Sequence, residues 1–281
     1  MMRVAVVGLG VIGGSLALAL ADARGFDHDE AARRVARGRG VNVADDLAAA
    51  VRGADVVVAA VPPAALAEAL DAAARIAPSA VLTDVASSKR ELEGIAGRLP
   101  RSARVVGGHP LAGSTGRGAE AAAADLFRGR AWAIVPTSRS DIDSVRTVAE
   151  LARSTGARPI VLSQQRHETL MTWLVRAPLA VASALAWSAS VESPEGLAEV
   201  AGPGFRDTTR LATTPAPLTE ELLFGADRER LAVVLRAIAN TLTDWADEIV
   251  RGDLPPVRAE LAAARDMRAQ LDRASEDSSA K

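Results

Sequence analysis

Short apolar runs alternate with alanine-rich helical stretches through the first 162 residues, and this alternation restricts the fold more than any other feature. Each run is apolar at consecutive positions, as strands are when helices cover both faces of a sheet. Strands and helices that alternate in this way form right-handed βαβ units on a mostly parallel sheet. The predicted strands are Val4–Val7, Val56–Ala60, Ala80–Asp84, Val105–Gly107, Trp132–Val135 and Ile160–Leu162. The predicted helices are Gly14–Ala21, Pro62–Ile76, Ser88–Leu99 and Ile142–Thr155.

The sequence changes in character after Leu162. From Gln164 onward we expect no strand, only helical patterns that are interrupted at prolines and glycines. We therefore predict an α/β domain over residues 1–162 and an all-helical domain over residues 163–281. The most apolar helical stretch, Leu174–Trp187, carries Arg176 and is too short to cross a bilayer, and we expect no export signal. A cytoplasmic protein is predicted.

Composition excludes several kinds of site. The chain has 281 residues and no cysteine, so a disulfide scaffold, a thiolate zinc site and a cysteine nucleophile are excluded. Basic residues number 33 and acidic residues 35, so no overall cationic field points to nucleic acid. The three histidines, His28, His109 and His167, are too few for a multi-histidine metal site. We expect no metal, no nucleic acid and no membrane among the partners.

The motif GLGVIG at residues 8–13 directly follows the first predicted strand and opens a helix. In that context Gly8 permits a tight turn, Gly10 lets a pyrophosphate approach the backbone, and Gly13 lets helix and strand pack closely. The helix N-terminus offers N–H groups to the phosphates. The motif predicts a dinucleotide site, and the alternative is a turn that is merely rich in glycine.

Asp27 lies 27 − 8 = 19 residues after Gly8, near the usual place of the acid that binds the adenosine ribose. A carboxylate there accepts hydrogen bonds from NAD and repels the extra phosphate of NADP. NAD is therefore the expected coenzyme. His28 and Arg33 follow closely, and a nearby cation would instead accept that phosphate, so NADP remains the alternative. A solvated loop acid is the other interpretation of Asp27.

Three further clusters carry candidate chemistry. His109, in GGHPLAGS at residues 107–114 just past a predicted strand, is either a general base or a structural hydrogen-bonding residue. In TDVASSK at residues 83–89, Ser87 or Ser88 would hydrogen-bond a substrate, but Ser88 with Glu91 also fits a capping box. Arg206, in GPGFRDTTR at residues 202–210, would bind a carboxylate or form a surface ion pair.

Taken together, these motifs resemble those of the prephenate dehydrogenase family of tyrosine biosynthesis. The matching stretches, in the family's order, are GLGVIGGSLALAL at 8–20, AVPP at 60–63, TDVASSK at 83–89, GGHPLAGS at 107–114 and GPGFRDTTRLA at 202–212. The resemblance implies a Rossmann-like domain followed by a helical domain that forms a homodimer. It also implies NAD-dependent oxidative decarboxylation of prephenate to 4-hydroxyphenylpyruvate.

The resemblance assigns roles to individual residues. It implies that His109 takes the proton of the substrate hydroxyl, that Ser87 helps to hold this group, and that Arg206 binds a carboxylate. Ser114 is expected in the same substrate site. The implied coenzyme site consists of Gly8, Gly10, Val11, Ile12, Gly13, Asp27, Val61 and Pro62.

The chain departs from the family pattern in one place. Family members commonly carry a Ser-His-Leu-Pro-His run, and here Arg176 and Leu179 replace its two histidines on either side of Pro178. We hypothesise that Arg176 supplies the lost carboxylate contact, while His167, nearby, is expected to be structural. The altered polarity leaves arogenate and 4-amino-4-deoxyprephenate as alternative substrates.

Two other classes of protein are alternatives to a prephenate dehydrogenase. An imine or hydroxyacid reductase usually has a lysine or other acid on its helical domain, and here that region has no lysine apart from Lys281. A catalytically degenerate dinucleotide-binding protein is suggested by the missing histidines. The presence of His109, Ser87 and Arg206 argues against it.

Overall fold

The computed structural model describes residues 2–113, 116–225, 227–252 and 254–279. The chain divides into two compact units, residues 1–171 and 172–281. The division falls 171 − 162 = 9 residues after the predicted boundary, because the helix Gln164–Met171 packs against the strand Ala131–Pro136 of the first unit.

The first unit is built on one eight-stranded sheet, which confirms the predicted α/β class. Its strands are β1 Val4–Val7, β2 Arg24–Phe26, β3 Asn42–Val43, β4 Val56–Ala59, β5 Val81–Asp84, β6 Arg104–Pro110, β7 Ala131–Pro136 and β8 Arg158–Val161. The strand order is β3-β2-β1-β4-β5-β6-β7-β8, and all neighbours are parallel except β6 and β7. The short gap between the first helix and Asp27 left room only for a very short second strand, and β2 has three residues. Its bounds and the two-residue β3 were not predicted, because such strands are too short to show an apolar run.

The helices of the first unit lie between these strands in the chain, except the last helix, which follows β8. They are α1 Val11–Ala19, α2 Glu30–Gly38, α3 Leu47–Val51, α4 Pro63–Ile76, α5 Leu92–Arg98, α6 Ile142–Ser154 and α7 Gln164–Met171. Two predicted starts are wrong. Helix α1 begins at Val11 instead of Gly14, and α5 begins at Leu92 instead of Ser88, with Glu91 at its N-cap. The predicted capping box between Ser88 and Glu91 is therefore wrong.

The apolar strands separate two hydrophobic clusters, one on each face of the sheet. Successive side chains of a strand point to opposite faces. In β1, Val4 and Val6 belong to the cluster that includes residues of α1, while Ala5 and Val7 belong to the cluster that includes residues of α4. Both faces are therefore buried, which explains why the strands are apolar at every position.

The described residues of the second unit form helices and short connections, with no strand. A π-helical turn, Thr172–Arg176, leads into α8 Ala177–Ala189, α9 Pro194–Val200, α10 Pro203–Thr209, α11 Ala216–Glu220, α12 Arg228–Arg251 and α13 Leu254–Ser279. A small cluster of Ala177, Leu231 and Val234 packs α8 against α12. The absence of strands from the described part of this region agrees with the predicted helical C-terminal region.

One helical run in the described chain, Gln164–Ala189, is 26 residues long and on length and composition alone could cross a membrane. It is longer than the predicted stretch Leu174–Trp187, because the helix continues through the π-helical turn. Its most apolar window is 33% buried inside the protein. Core helices of soluble proteins pass the same test, so the expected absence of a membrane partner stays a prediction.

Candidate active site

The glycine motif forms the turn between β1 and α1, and its three glycines meet different surroundings. A Cβ atom on Gly8, whose φ is +95°, would lie 2.3 Å from the carbonyl oxygen of Ala60. A Cβ atom on Gly13 would lie 1.9 Å from the carbonyl oxygen of Gly8, whereas one on Gly10 would meet nothing within 4 Å. Gly8 and Gly13 are therefore required by packing, and the backbone at Gly10 is open to a ligand.

The first turn of α1 also has the properties of a phosphate site. Gly10 occupies the N-cap of this nine-residue helix and provides no side-chain cap. The first N–H groups of a helix have no intrahelical partner and lie at the positive end of its dipole. With the open backbone at Gly10, these groups fit the pyrophosphate of a dinucleotide. Val11 and Ile12 begin the helix, and Val61 and Pro62 follow β4 beside the turn, with Val61 close to Gly8.

Asp27 follows β2 and turns its carboxylate toward the glycine motif. Oδ2 accepts a hydrogen bond from the backbone N–H of Leu9 at 2.7 Å, and Oδ1 accepts one from Asp29 at 2.9 Å. The Arg33 guanidinium donates to the carbonyl oxygens of Asp27 and His28 and lies 5.6 Å from the centre of the Phe26 ring. The carboxylate is therefore fixed beside the turn that would hold the dinucleotide.

His109 lies inside β6 and not in a loop past the strand, so the predicted end of this strand at Gly107 is wrong. Strand β6 continues to Pro110 because its last five residues pair with β7 in antiparallel register, with His109 opposite Ala133. Glycine and proline are poor strand formers, which hid this pairing from the sequence pattern. His109 is buried, and its Nδ1 lies 3.0 Å from Nε2 of His167 on α7.

His167 joins His109 to a buried carboxylate. Its Nδ1 lies 3.1 Å from Oε1 of Glu168, and the same oxygen accepts a hydrogen bond from the backbone N–H of Lys89 at 2.7 Å. The Ser88 hydroxyl lies 3.4 Å from both carboxylate oxygens. Ser88 is thus bound to α7 instead of capping a helix.

A buried ion pair adjoins the His109, His167 and Glu168 side chains. Lys89 Nζ donates to Asp84 Oδ2 at 2.5 Å, and both side chains are inaccessible to solvent. The other oxygen of Asp84 accepts from the backbone N–H of Gly108, next to His109, at 3.2 Å. Burial lowers the pKa of Lys89, and the charge of Asp84 opposes that shift. Ser87 is half-buried in the same segment, which leaves the sheet at the carboxyl end of β5, beside parallel β6.

Sequence analysis missed Asp84, Lys89 and Glu168. One signal was available for Lys89: the chain has 33 basic residues, and lysine occurs only at positions 89 and 281. A lysine ammonium is compact, whereas a guanidinium is planar and larger, so a rare lysine marks a position where the two side chains are not interchangeable. Glu168 had no signal beyond its place next to His167.

The remaining candidates belong to the second unit or lie outside the described residues. Arg206 is exposed on α10, and its Nε donates to the carbonyl oxygen of Ala201 at 3.1 Å. Arg176 is buried in the π-helical turn, with Nη1 3.4 Å from the Thr172 hydroxyl, and Leu179 is also buried. Ser114 lies outside the described residues.

Comparisons with known proteins agree on one family. Residues 21–161 match the family model described as prephenate dehydrogenase, nucleotide-binding domain. The chain is 32% identical to the probable prephenate dehydrogenase NovF of Streptomyces niveus over 268 residues, which are 88% of this chain and 70% of that protein.

Solved structures share the fold across nearly the whole chain. An arogenate dehydrogenase from Synechocystis has a TM-score of 0.83 and 24% identity, and the match covers 96% of this chain and 100% of that one. A prephenate dehydrogenase from A. aeolicus, solved with hydroxyphenyl propionate and NAD+, has the same TM-score and identity and covers 96% and 98%.

Proposed function

The chain belongs to the prephenate dehydrogenase family, and from that premise we propose that it catalyses the NAD-dependent oxidative decarboxylation of prephenate to 4-hydroxyphenylpyruvate. The observation that carries the proposal is the place of His109. This buried imidazole lies near the carboxyl end of β6. Strands β1, β4, β5 and β6 are parallel, so their carboxyl ends share one sheet edge with the glycine turn. A base and a dinucleotide site on one edge support a dehydrogenase.

The coenzyme is held, in this proposal, by the glycine turn and its surroundings. The residues assigned to this site are Gly8, Gly10, Val11, Ile12, Gly13, Asp27, Val61 and Pro62. When bound, NAD accepts the hydrogen and the two electrons that leave the substrate ring. The Arg33 guanidinium donates to two backbone carbonyls and lies near the Phe26 ring. These contacts compete with binding of the extra phosphate of NADP, which supports NAD as the coenzyme.

The remaining residues position the substrate and move one proton. His109 takes the hydroxyl proton, and Ser87 hydrogen-bonds the same group. Arg206 binds a carboxylate by paired, charge-assisted hydrogen bonds. The ring loses carbon dioxide and becomes aromatic, and the proton returns to the new phenolic oxygen. Because aromatisation makes the reaction strongly downhill, positioning and one proton transfer are the main demands on the protein.

Arogenate and 4-amino-4-deoxyprephenate are the second candidate substrates. The observation that favours them is the pair of buried residues, Arg176 and Leu179, at the two positions where the family commonly has histidines. We propose that Arg176 contacts a substrate carboxylate. Arg176→Ala removes the guanidinium and its paired hydrogen bonds, so the KM for substrate is expected to rise. An unchanged KM would remove Arg176 from the substrate site.

We also propose that the protein is a cytoplasmic homodimer joined through its helical unit. Large apolar side chains are widely exposed on that unit. They include Trp173, Leu174, Trp187, Phe224, Val233, Leu242, Ile249, Val250, Leu261 and Met267. Exposed apolar surface of this extent is typical of a protein interface, and a second copy of the chain is the partner that the family resemblance suggests.

The proposal is tested by coenzyme reduction. Purified protein is mixed with prephenate, arogenate or 4-amino-4-deoxyprephenate, each with NAD and with NADP, and reduced coenzyme is followed by absorbance. Fast turnover of prephenate with NAD is the expected result. Turnover of an amino substrate alone would show that Arg176 and Leu179 mark a changed specificity. No turnover with any of the three would leave a dinucleotide-binding protein without this activity.

A further inference from the structure

A continuous line of hydrogen bonds runs from His109 into the protein. It passes from His109 Nδ1 to His167 Nε2 at 3.0 Å, and from His167 Nδ1 to Glu168 Oε1 at 3.1 Å. Glu168 is fixed in turn by the backbone N–H of Lys89 at 2.7 Å and by the nearby Ser88 hydroxyl. All of these residues belong to the first unit, and both His167 and Glu168 are buried.

The direction of each bond follows from the chemistry of the groups. An ionised carboxylate only accepts hydrogen bonds, so the proton between His167 and Glu168 belongs to Nδ1 of His167. Nε2 of a neutral His167 then has a lone pair and accepts a hydrogen bond from Nδ1–H of His109. The neutral His109 ring therefore carries its lone pair on Nε2. This is the tautomer that a base needs if Nε2 is to accept the substrate proton.

The chain of hydrogen bonds from His109 ends at a buried carboxylate. Asp84, Lys89 and Glu168 are charged side chains next to this chain of hydrogen bonds. Lys89 is paired with Asp84, with both side chains inaccessible to solvent. Glu168 is the carboxylate hydrogen-bonded to His167, and its charge also acts on Lys89. A buried negative charge stabilises an imidazolium when it forms.

We propose that Glu168 is a positioning residue of the active site, which acts through His167 to hold His109 in the tautomer that accepts a proton at Nε2. In the step itself the substrate O–H bond breaks, the Nε2–H bond of His109 forms, and the Nδ1 protons of both histidines stay in their hydrogen bonds. The proposal rests on the proposed function, because it takes His109 as the base. It gives a role to the Ser88–Lys89 segment, whose contacts fix the carboxylate of Glu168.

The arrangement can be tested without substrate, because the chain has only three histidines. In ¹⁵N-histidine NMR spectra, His109 and His167 are both expected as Nδ1–H tautomers. His28, whose side chain is 93% exposed, serves as the internal reference. Glu168→Gln should shift both buried rings away from this pattern, while Glu150→Gln, an exposed change on α6, should shift neither. Nε2–H tautomers in the wild type, or identical spectra for Glu168→Gln and wild type, would overturn the proposal.

Kinetics separate positioning from a structural role. Glu168→Gln is expected to lower kcat by on the order of 10²- to 10⁴-fold, with the KM for NAD little changed. The Nδ1–H tautomers of His109 and His167 should be lost in the same variant. A purely structural Glu168 would lower the Tm but leave both tautomers unchanged.

The two proposals fail in different ways. A wild-type protein that turns over none of the three substrates contradicts the proposed function, whatever the NMR spectra show. An active wild type whose Glu168→Gln variant keeps the same kcat and the same histidine tautomers contradicts only the role of Glu168.

Discussion

The glycine turn has no room for a methyl group at Gly8 or Gly13. The three glycines of the motif look equivalent in the sequence, but the structure separates them into two packing glycines and one open glycine. Gly13 lies so close to the Gly8 carbonyl that no side chain fits, whereas the space beside Gly10 is empty. Stability and coenzyme binding should therefore respond differently to the same substitution.

Gly13→Ala is expected to lower the free energy of unfolding by about 1–3 kcal/mol, because the added methyl group forces the helix away from the strand. Gly10→Ala should leave the unfolding free energy nearly unchanged but weaken NAD binding, since its methyl group points into the space that the phosphates would occupy. Denaturant unfolding and a coenzyme titration measure the two effects. Gly10→Ala protein that binds NAD as well as wild type would show that the coenzyme does not approach there.

Spacing alone gave the positions of the glycines, and Asp27 lies beside the turn as the spacing suggested. The spacing of residues in the sequence could not predict which side chains contact His109. The contact between His109 and His167 joins residues 58 positions apart, and that between Lys89 and Glu168 joins residues 79 apart. Such pairs depend on how α7 packs against the sheet, which no local pattern encodes.

The N-terminal cap of helix α6 depends on the charge of the Asp141 carboxylate. The Asp141 carboxylate accepts from the backbone N–H of Ser144 at 2.6 Å, and the Ser144 hydroxyl accepts from the N–H of Asp141 at 2.9 Å. These two bonds form a capping box. The bond from the Ser144 backbone, followed by the Ser144 side chain, holds the pKa of Asp141 below its ordinary value of 3.8.

Acidification should remove this stabilisation. Because the folded state lowers the pKa of Asp141, its contribution is complete above the ordinary pKa and is lost as the pH falls through the lower, folded-state pKa. Asp141→Ala is therefore expected to lower the Tm at neutral pH, and the difference from wild type should shrink in strong acid. Glu150→Ala on the same helix serves as control. A Tm difference that does not change with pH would contradict the role of the charge.

Element types were predicted better than element ends. The apolar runs identified six strands, but β6 extends past Gly107 because β7 pairs with its glycines and His109. Helix α5 starts later than predicted because Lys89 is drawn into the ion pair with Asp84 and the Ser88 hydroxyl lies against Glu168. At both ends tertiary contacts override the local preference, and both ends lie at the candidate site.

The proposed dimer is a property of the whole molecule. The mass in solution measured by light scattering is expected to be about 58 kDa, twice the chain mass of 29.1 kDa. Trp187→Glu combined with Val250→Glu should lower this mass toward that of one chain, because these side chains are 79% and 88% exposed and a charge in an apolar interface is costly. Ile142→Glu, at an equally exposed site on the first unit, is the control. A single-chain mass for the wild type would contradict the dimer.

The fold class of the molecule could be predicted because strands covered on both faces differ in pattern from helices. The family followed from motifs spread along the chain. Substrate identity could not be predicted, because the chain departs from the family pattern at Arg176 and Leu179. A family pattern describes the residues that relatives share, so it does not predict substrate specificity at positions where this chain differs.

The most direct test of the account is the turnover of prephenate with NAD by His109→Asn protein, compared with wild type and with the exposed control Glu150→Gln. We expect His109→Asn to lower kcat by about 10²- to 10⁴-fold and to keep NAD binding, while Glu150→Gln stays at the wild-type rate. Wild-type turnover that persists in His109→Asn protein would contradict the assignment of His109 as the base and, with it, the proposed mechanism.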